Sequence, residues 1–185
     1  MILASGSPRR QQLLREAGLD FRVVTRPVEE IVPEQMSPMA VAEHLALFKA
    51  RAYDDLAEDN VVITADTVVS LGNEILGKPA HVRDAVQMLK DLSGEVNWVV
   101  SGVCISHRGQ KKLFHEVTKV YFRKLQRWEI AYYIERYQPF DKAGAYGIQE
   151  WIGMIGVDRI EGDFYNVVGL PVSRLWHELR EWMLW

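Results

Sequence analysis

The sequence predicts an α/β fold with a mixed β-sheet. Helical apolar periodicity alternates with β-branched runs through the first half, and two long alternating stretches joined by a tight turn follow in the second. Ile2 to Ser5 reads as a short first strand. A helix from Pro8 to about Ala17 comes next, with Ser7 as N-cap, proline at the first helical position and Gly18 as the stop. Phe21 to Thr25 predicts a second strand, and Pro27, Pro33 and Pro38 punctuate the loop after it. Ser37-Pro38 repeats the cap-then-proline start, and Val41, Leu45, Phe48 and Ala52 form an apolar stripe along the helix it opens. Val61 to Ser70 is apolar on both faces, as in a buried central strand, and Asn73 to Leu76 returns as a short partner.

The third helix runs from about His81 to Leu92 and ends at Ser93-Gly94. Val96 to His107 and Lys112 to Phe122 alternate as antiparallel strands about a turn at Arg108-Gly109. A helix from Gln126 to Tyr137 stops before Pro139. Phe140 to Gly169 is glycine-rich and reads as irregular with short strand-like pieces, and Pro171 to Trp185 as a final helix. With 185 residues and no evident linker, the chain is expected to form one domain over residues 1–185, or two lobes around a cleft.

Composition narrows the function classes. The 22 basic and 25 acidic residues give a net charge of −3, against a protein that grips nucleic acid with its whole surface. A small anionic ligand needs only a few placed cations and stays open. Cys104 is the single cysteine, so no intramolecular disulfide and no cysteine-based zinc site is expected. No apolar stretch approaches the roughly 20 residues of a membrane span, and the N-terminal apolar run is too short for a signal peptide. A cytoplasmic protein is the expectation.

Five segments carry chemistry. At Ser5-Gly6-Ser7-Pro8-Arg9-Arg10 a strand turns into a helix whose first turn holds two arginines. Arginine is electrostatically disfavoured there, so the pair suits a bound anion, phosphate above all; a capped helix with solvated arginines is the alternative. Asp66 interrupts a buried β run that continues through Val68 and Val69. An ionised carboxylate in that setting needs a partner, which makes it a candidate general base or metal ligand. Lys78 in Gly77-Lys78-Pro79 can be aimed at a phosphate, although no Walker P-loop is present. Lys49, at the edge of the apolar stripe, and Glu30, in the proline loop, are each compatible with a solvated surface. Asp141 to Gln149 and Asn166 to Pro171 concentrate small residues that allow close backbone approach, and Gln149 offers an amide that can read a base edge. No pair of histidines has metal-ligand spacing, and the aromatic cluster Trp128, Tyr132, Tyr133 and Tyr137 has helical spacing that favours packing.

Taken together, S-x-S-P-R-R at 5–10, A-D-T at 65–67, G-K-P at 77–79, D-K-A-G-A-Y-G-I-Q at 141–149 and N-V-V-G-L-P at 166–171 resemble the Maf family of nucleotide pyrophosphatases nearly end to end. The resemblance implies a mixed, twisted β-sheet flanked by helices, with a substrate cleft. It implies hydrolysis of a nucleoside triphosphate, in the branch acting on dTTP and UTP, to the monophosphate and pyrophosphate with a divalent cation, Mg²⁺ or Mn²⁺. By position, Asp66 matches the family's proton acceptor, and Arg9, Thr67 and Gln149 match its substrate-selecting residues. Ser7, Arg10, Lys49 and Lys78 match residues around the phosphates; Glu30 and Asp66 match the metal side. The chain departs from the family pattern at Asn97, where many relatives carry histidine, and at Glu150-Trp151-Ile152-Gly153 after the glutamine. The alternatives are a house-cleaning pyrophosphatase for other modified nucleotides and a nucleotide-binding regulator of septum formation. The expected partner is a nucleotide, with no nucleic acid or membrane; a homodimer stays open.

Overall fold

The computed structural model describes residues 1–28 and 35–182. One sheet runs through it in the order β2-β1-β3-β5-β6-β7, with β4 on the free edge of β3. The strands are β1 (Ile2–Leu3), β2 (Arg22–Val23), β3 (Val62–Leu71), β4 (Glu74–Leu76), β5 (Val96–His107), β6 (Gln110–Phe122) and β7 (Val157–Glu161). β1 pairs in parallel with β2 and β3, while β3, β5, β6 and β7 are antiparallel, so the sheet is mixed as expected. The helices are α1 (Pro8–Glu16), α2 (Pro38–Arg51), α3 (Asp54–Ala57), α4 (Val82–Leu92), α5 (Arg127–Tyr137), α6 (Trp151–Gly156), α7 (Phe164–Val168) and α8 (Val172–Leu179). None is long and apolar enough to cross a membrane.

The caps anticipated from sequence form. The Ser7 side chain accepts from the Arg10 amide and Ser37 from the Ala40 amide, each followed by proline. The hairpin turn places Arg108 at φ 47° and Gly109 at φ 74°, the pair of positive values that a tight two-residue connection requires.

α2 faces the sheet differently from the expected stripe. Val41 and Leu45 are buried, but the remaining contacts come from Ala42, Ala46 and Ala50 rather than Phe48 and Ala52. These alanines let the helix backbone approach closely, and the Thr64 hydroxyl donates to the Ala46 carbonyl at 2.8 Å. Gly102 on β5 completes the contact: a Cβ there would lie 2.1 Å from the Ala42 carbonyl oxygen.

Two expectations are corrected. Residues 140–169 are mostly short helices: two 3₁₀ turns at Pro139–Asp141 and Ala143–Ala145, then α6 and α7, with β7 the single strand. Such pieces are too short to be stable alone and are held by tertiary contacts that local sequence does not reveal. The last helix is also shorter, ending at Leu179, with Trp182 still packed on the core beyond it; residues 183–185 of the expected helix lie outside the described residues.

Two large apolar clusters form the core. One joins Leu3, Leu14, Ile63, Ile105, Leu175 and Leu179; the other joins Leu89, Leu92, Phe122, Tyr133 and Ile152. Cys104 is buried, as expected of a core residue.

Candidate active site

The cleft opens where the short β1 ends. β1 pairs with β3 only at Ile2–Leu3, and β4 rejoins β3 at Val69, so the intervening edge of β3 lacks a strand partner. β1 also has β2 and β3 on opposite sides, the point in an open sheet where successive connections diverge and ligands are commonly held. The chain leaves β1 there through Ser5-Gly6-Ser7 into α1, and the positive end of that helix faces the gap.

Eight of the nine sequence-predicted residues line this one cleft of about 840 Å³: Ser7, Arg9, Arg10, Lys49, Asp66, Thr67, Lys78 and Gln149. Glu30 lies outside the described residues. The volume is in the range that holds a small organic ligand. One part of the wall is charged; another is apolar, with Val41, Leu45, Val69, Leu76 and Val167.

Asp66 and Thr67 point to opposite faces of β3, as strand periodicity demands. Asp66 turns toward α2, where Lys49 Nζ lies 2.6 Å from its Oδ1, with only 17% and 16% of the two side chains exposed. The opposing residue on β5 is Gly102, so the close approach of α2 and the reach of Lys49 share one cause. Thr67 turns toward α1: its hydroxyl accepts from Arg10 at 3.0 Å and sits 2.8 Å from the Ser101 hydroxyl.

Arg10 acts as a clamp. It donates to the Ala65 carbonyl at 2.8 Å, satisfying the open β3 edge, and to the Gly169 carbonyl at 2.8 Å, fastening the end of α7 to α1. Arg9 reaches the cleft mouth and pairs with Asp141 at 2.7 Å. Lys78 is exposed on the far wall, and Gln149 stands exposed at the lip.

Sequence reasoning did not single out Asp141 and Lys142 as charged members of the site. Lys142 is buried and pairs with Asp141 at 2.8 Å and Glu150 at 3.1 Å. Burial alone would raise the Asp141 carboxyl, but hydrogen bonds from Lys142 and Arg9 outweigh it and hold it at about 2. Two charges flanking the glycine-rich Ala143-Gly144 segment were the available signal. Asn97 is fully buried and accepts from the Tyr146 hydroxyl at 2.9 Å, a packing role beneath the cleft wall. The aromatic cluster does pack, with Tyr133 on Tyr137 and Tyr132 on Trp151, although Trp128 is 63% exposed.

The family model for Maf-like proteins matches residues 1–182. The chain belongs to the Maf-like family. A dTTP/UTP pyrophosphatase of Cytophaga hutchinsonii is 46% identical over 181 residues, covering 98% of this chain and 83% of that protein. One of Phocaeicola vulgatus is 47% identical over 183 residues, covering 98% and 95%. A HAM1 protein structure from Coxiella burnetii is a weaker likeness, with a TM-score of 0.40, 14% identity, and coverage of 65% of this chain and 71% of that one.

A Maf-like cleft of this composition suits a metal that arrives with its ligand. Among the described residues no cluster of three histidines, cysteines or carboxylates could hold an ion unaided. Asp66 nevertheless presents a carboxylate on the charged wall, and Mg²⁺ is commonly bound by one or two carboxylates together with substrate phosphates. The donor set fits that mode.

Proposed function

We propose that this Maf-like protein hydrolyses nucleoside triphosphates, dTTP and UTP, between the α and β phosphates to give the monophosphate and pyrophosphate. The observation that carries the reading is the single cleft combining the partly buried Lys49–Asp66 pair, the cations Arg9 and Lys78, and an apolar wall sized for a nucleoside. The end-to-end similarity to proteins named dTTP/UTP pyrophosphatase supports the same substrates.

In this reading Arg9, Lys78 and the start of α1 neutralise the phosphate chain, with Ser7 capping that helix start. Arg10 holds the β3 edge and α7 as the two sides of the phosphate-binding wall. Lys49 holds Asp66 in place through their ion pair, and Asp66 orients a water toward the α-phosphorus and takes its proton. Gln149 and Thr67 contribute to nucleotide selection. The Gln149 amide can donate to one atom of a uracil or thymine edge and accept from its neighbour, a pattern that cytosine reverses. A divalent cation, Mg²⁺ or Mn²⁺, would be held by Asp66, with Glu30 and phosphate oxygens, and would offset charge on the reacting phosphate.

Asp66→Asn keeps shape and removes the base. Its pyrophosphate release from dTTP should fall at least about a hundredfold, the usual effect of losing one preorganised charged group, with the fold retained by circular dichroism. Full activity in that variant would refute the mechanism. A panel of dTTP, UTP, CTP, ITP and 7-methyl-GTP, with added Mg²⁺ or Mn²⁺, tests the substrates; a preference for ITP would overturn the dTTP/UTP reading.

A further inference from the structure

The turn that carries Gln149 is held by one phenol. The Glu150 amide donates to the Gly147 carbonyl at 3.0 Å, closing a four-residue turn with Ile148 and Gln149 at its tip. Both corners of that turn meet the Tyr133 hydroxyl on α5: the Gly147 amide donates to it at 3.0 Å, and it donates in turn to the Glu150 carboxylate. The other Glu150 oxygen lies 3.1 Å from buried Lys142 Nζ, which continues through Asp141 to Arg9 at the opposite side of the mouth. A Cβ at 147 would lie 2.8 Å from the Glu150 carboxyl carbon, so the glycine leaves room for that carboxylate to stand against the turn.

We propose that Glu150, through Tyr133 and Lys142, is a positioning residue that sets the side-chain direction of Gln149 and so the preference among pyrimidine nucleotides. The inference rests on the nucleotide-reading role of Gln149 proposed above. Gln149 itself is exposed, so its aim depends on the turn backbone that carries it. Tyr133 is fully buried, and Glu150 is about four-fifths buried, so the chain of bonds is shielded from competing water. Burial, then the adjoining carboxylate, push the phenol above its ordinary range, so it keeps its proton and remains the donor. Glu150 stands where this chain departs from the family pattern described above.

The test compares kcat and KM for dTTP, UTP and CTP in Glu150→Gln, Tyr133→Phe, their double variant and Gln149→Ala, with thermal midpoints on the same samples. Glu150→Gln preserves volume but loses the ionic acceptor, and it should lower the dTTP-over-CTP ratio of kcat/KM by about tenfold. That is a fraction of the hundredfold that a displacement of about 1 Å can produce. The change should sit in KM for dTTP, with kcat within about threefold. Tyr133→Phe should act in the same direction, and the double variant should be no worse than the more affected single, because both cut one chain. An unchanged ratio in folded Glu150→Gln, while Gln149→Ala lowers it, overturns the positioning inference and leaves the Gln149 reading standing. An unchanged ratio in Gln149→Ala overturns that reading and this inference together. Should Tyr133→Phe fail to fold, Glu150→Gln alone decides.

Discussion

Gly102→Ala tests whether the approach of α2 to the sheet controls the site. A Cβ at 102 would lie 2.1 Å from the Ala42 carbonyl oxygen, 2.3 Å from its carbon and 2.7 Å from the Glu43 nitrogen. All three are backbone atoms, so no rotamer change relieves the overlap, and α2 must move outward by about 1 Å to restore ordinary contact. Overpacking of this kind costs about 1–3 kcal/mol. Because α2 carries Lys49 and Gly102 opposes Asp66, the same shift separates the charged pair that sits at 2.6 Å. A misplacement near 1 Å is enough for a loss of up to about a hundredfold in rate. Urea unfolding gives the stability, and pyrophosphate release from dTTP gives kcat/KM. Val103→Ala is the control: Val103 belongs to the apolar cluster on the α1 side, so it should lose about 2 kcal/mol of stability and keep its activity. Gly102→Ala with wild-type stability and wild-type kcat/KM would refute the coupling of helix approach to catalysis.

Two further outcomes follow from the ion pairs and the clamp. Arg10→Lys cannot serve Ala65, Thr67 and Gly169 together, so it should lose about 2 kcal/mol. Amides around Val167–Gly169 should exchange faster with deuterium in that variant; unchanged exchange would remove Arg10 as the fastening of α7. The Asp141 carboxyl at about 2 lies below its ordinary 3.8, so its pairs stabilise the fold above about pH 4, an effect lost as pH falls toward 2. With Asp141 59% exposed, solvent screening limits this to under about 1 kcal/mol. Urea midpoints of wild type and Asp141→Asn should therefore converge between about pH 4 and pH 2, and a gap independent of pH would exclude the ion pairs as its source.

What the sequence revealed was whatever has a local physical signature. Ser7-Pro8 and Ser37-Pro38 marked helix starts because capping and proline act within one turn. Asp66 stood out because a carboxylate inside a β-branched run is costly without a partner. Its partner, Lys49, looked like a surface residue: the pair forms only when α2 lies on the sheet, and that depends on Gly102, a glycine with no special backbone angle to advertise it. Arg10 was read as a phosphate residue from its helix position. Its donors meet carbonyls 55 and 159 residues away, contacts that no local pattern encodes. The short helices after Phe140 were hidden for the same reason, since packing rather than propensity holds them.

The charge balance also acquires a location. Arg9, Arg10, Lys49, Lys78 and Lys142 line the cleft with Asp66 and Asp141, so a protein of net charge −3 carries a cationic excess at this site. Five cations in a partly buried space would repel one another, and the carboxylates relieve this through the Lys49–Asp66, Arg9–Asp141 and Lys142–Glu150 pairs. The pairs differ in exposure, and that difference assigns their parts in the proposed reaction. At the mouth Asp141 is 59% exposed, so its hold on Arg9 is weak and an incoming polyphosphate can take its place at little cost. At 17% and 16% exposure the Lys49–Asp66 pair is shielded, and losing either partner would strand a charge. In the proposed reaction substrate would therefore exchange with the outer carboxylate, while the inner one stays fixed by its lysine and available for the water.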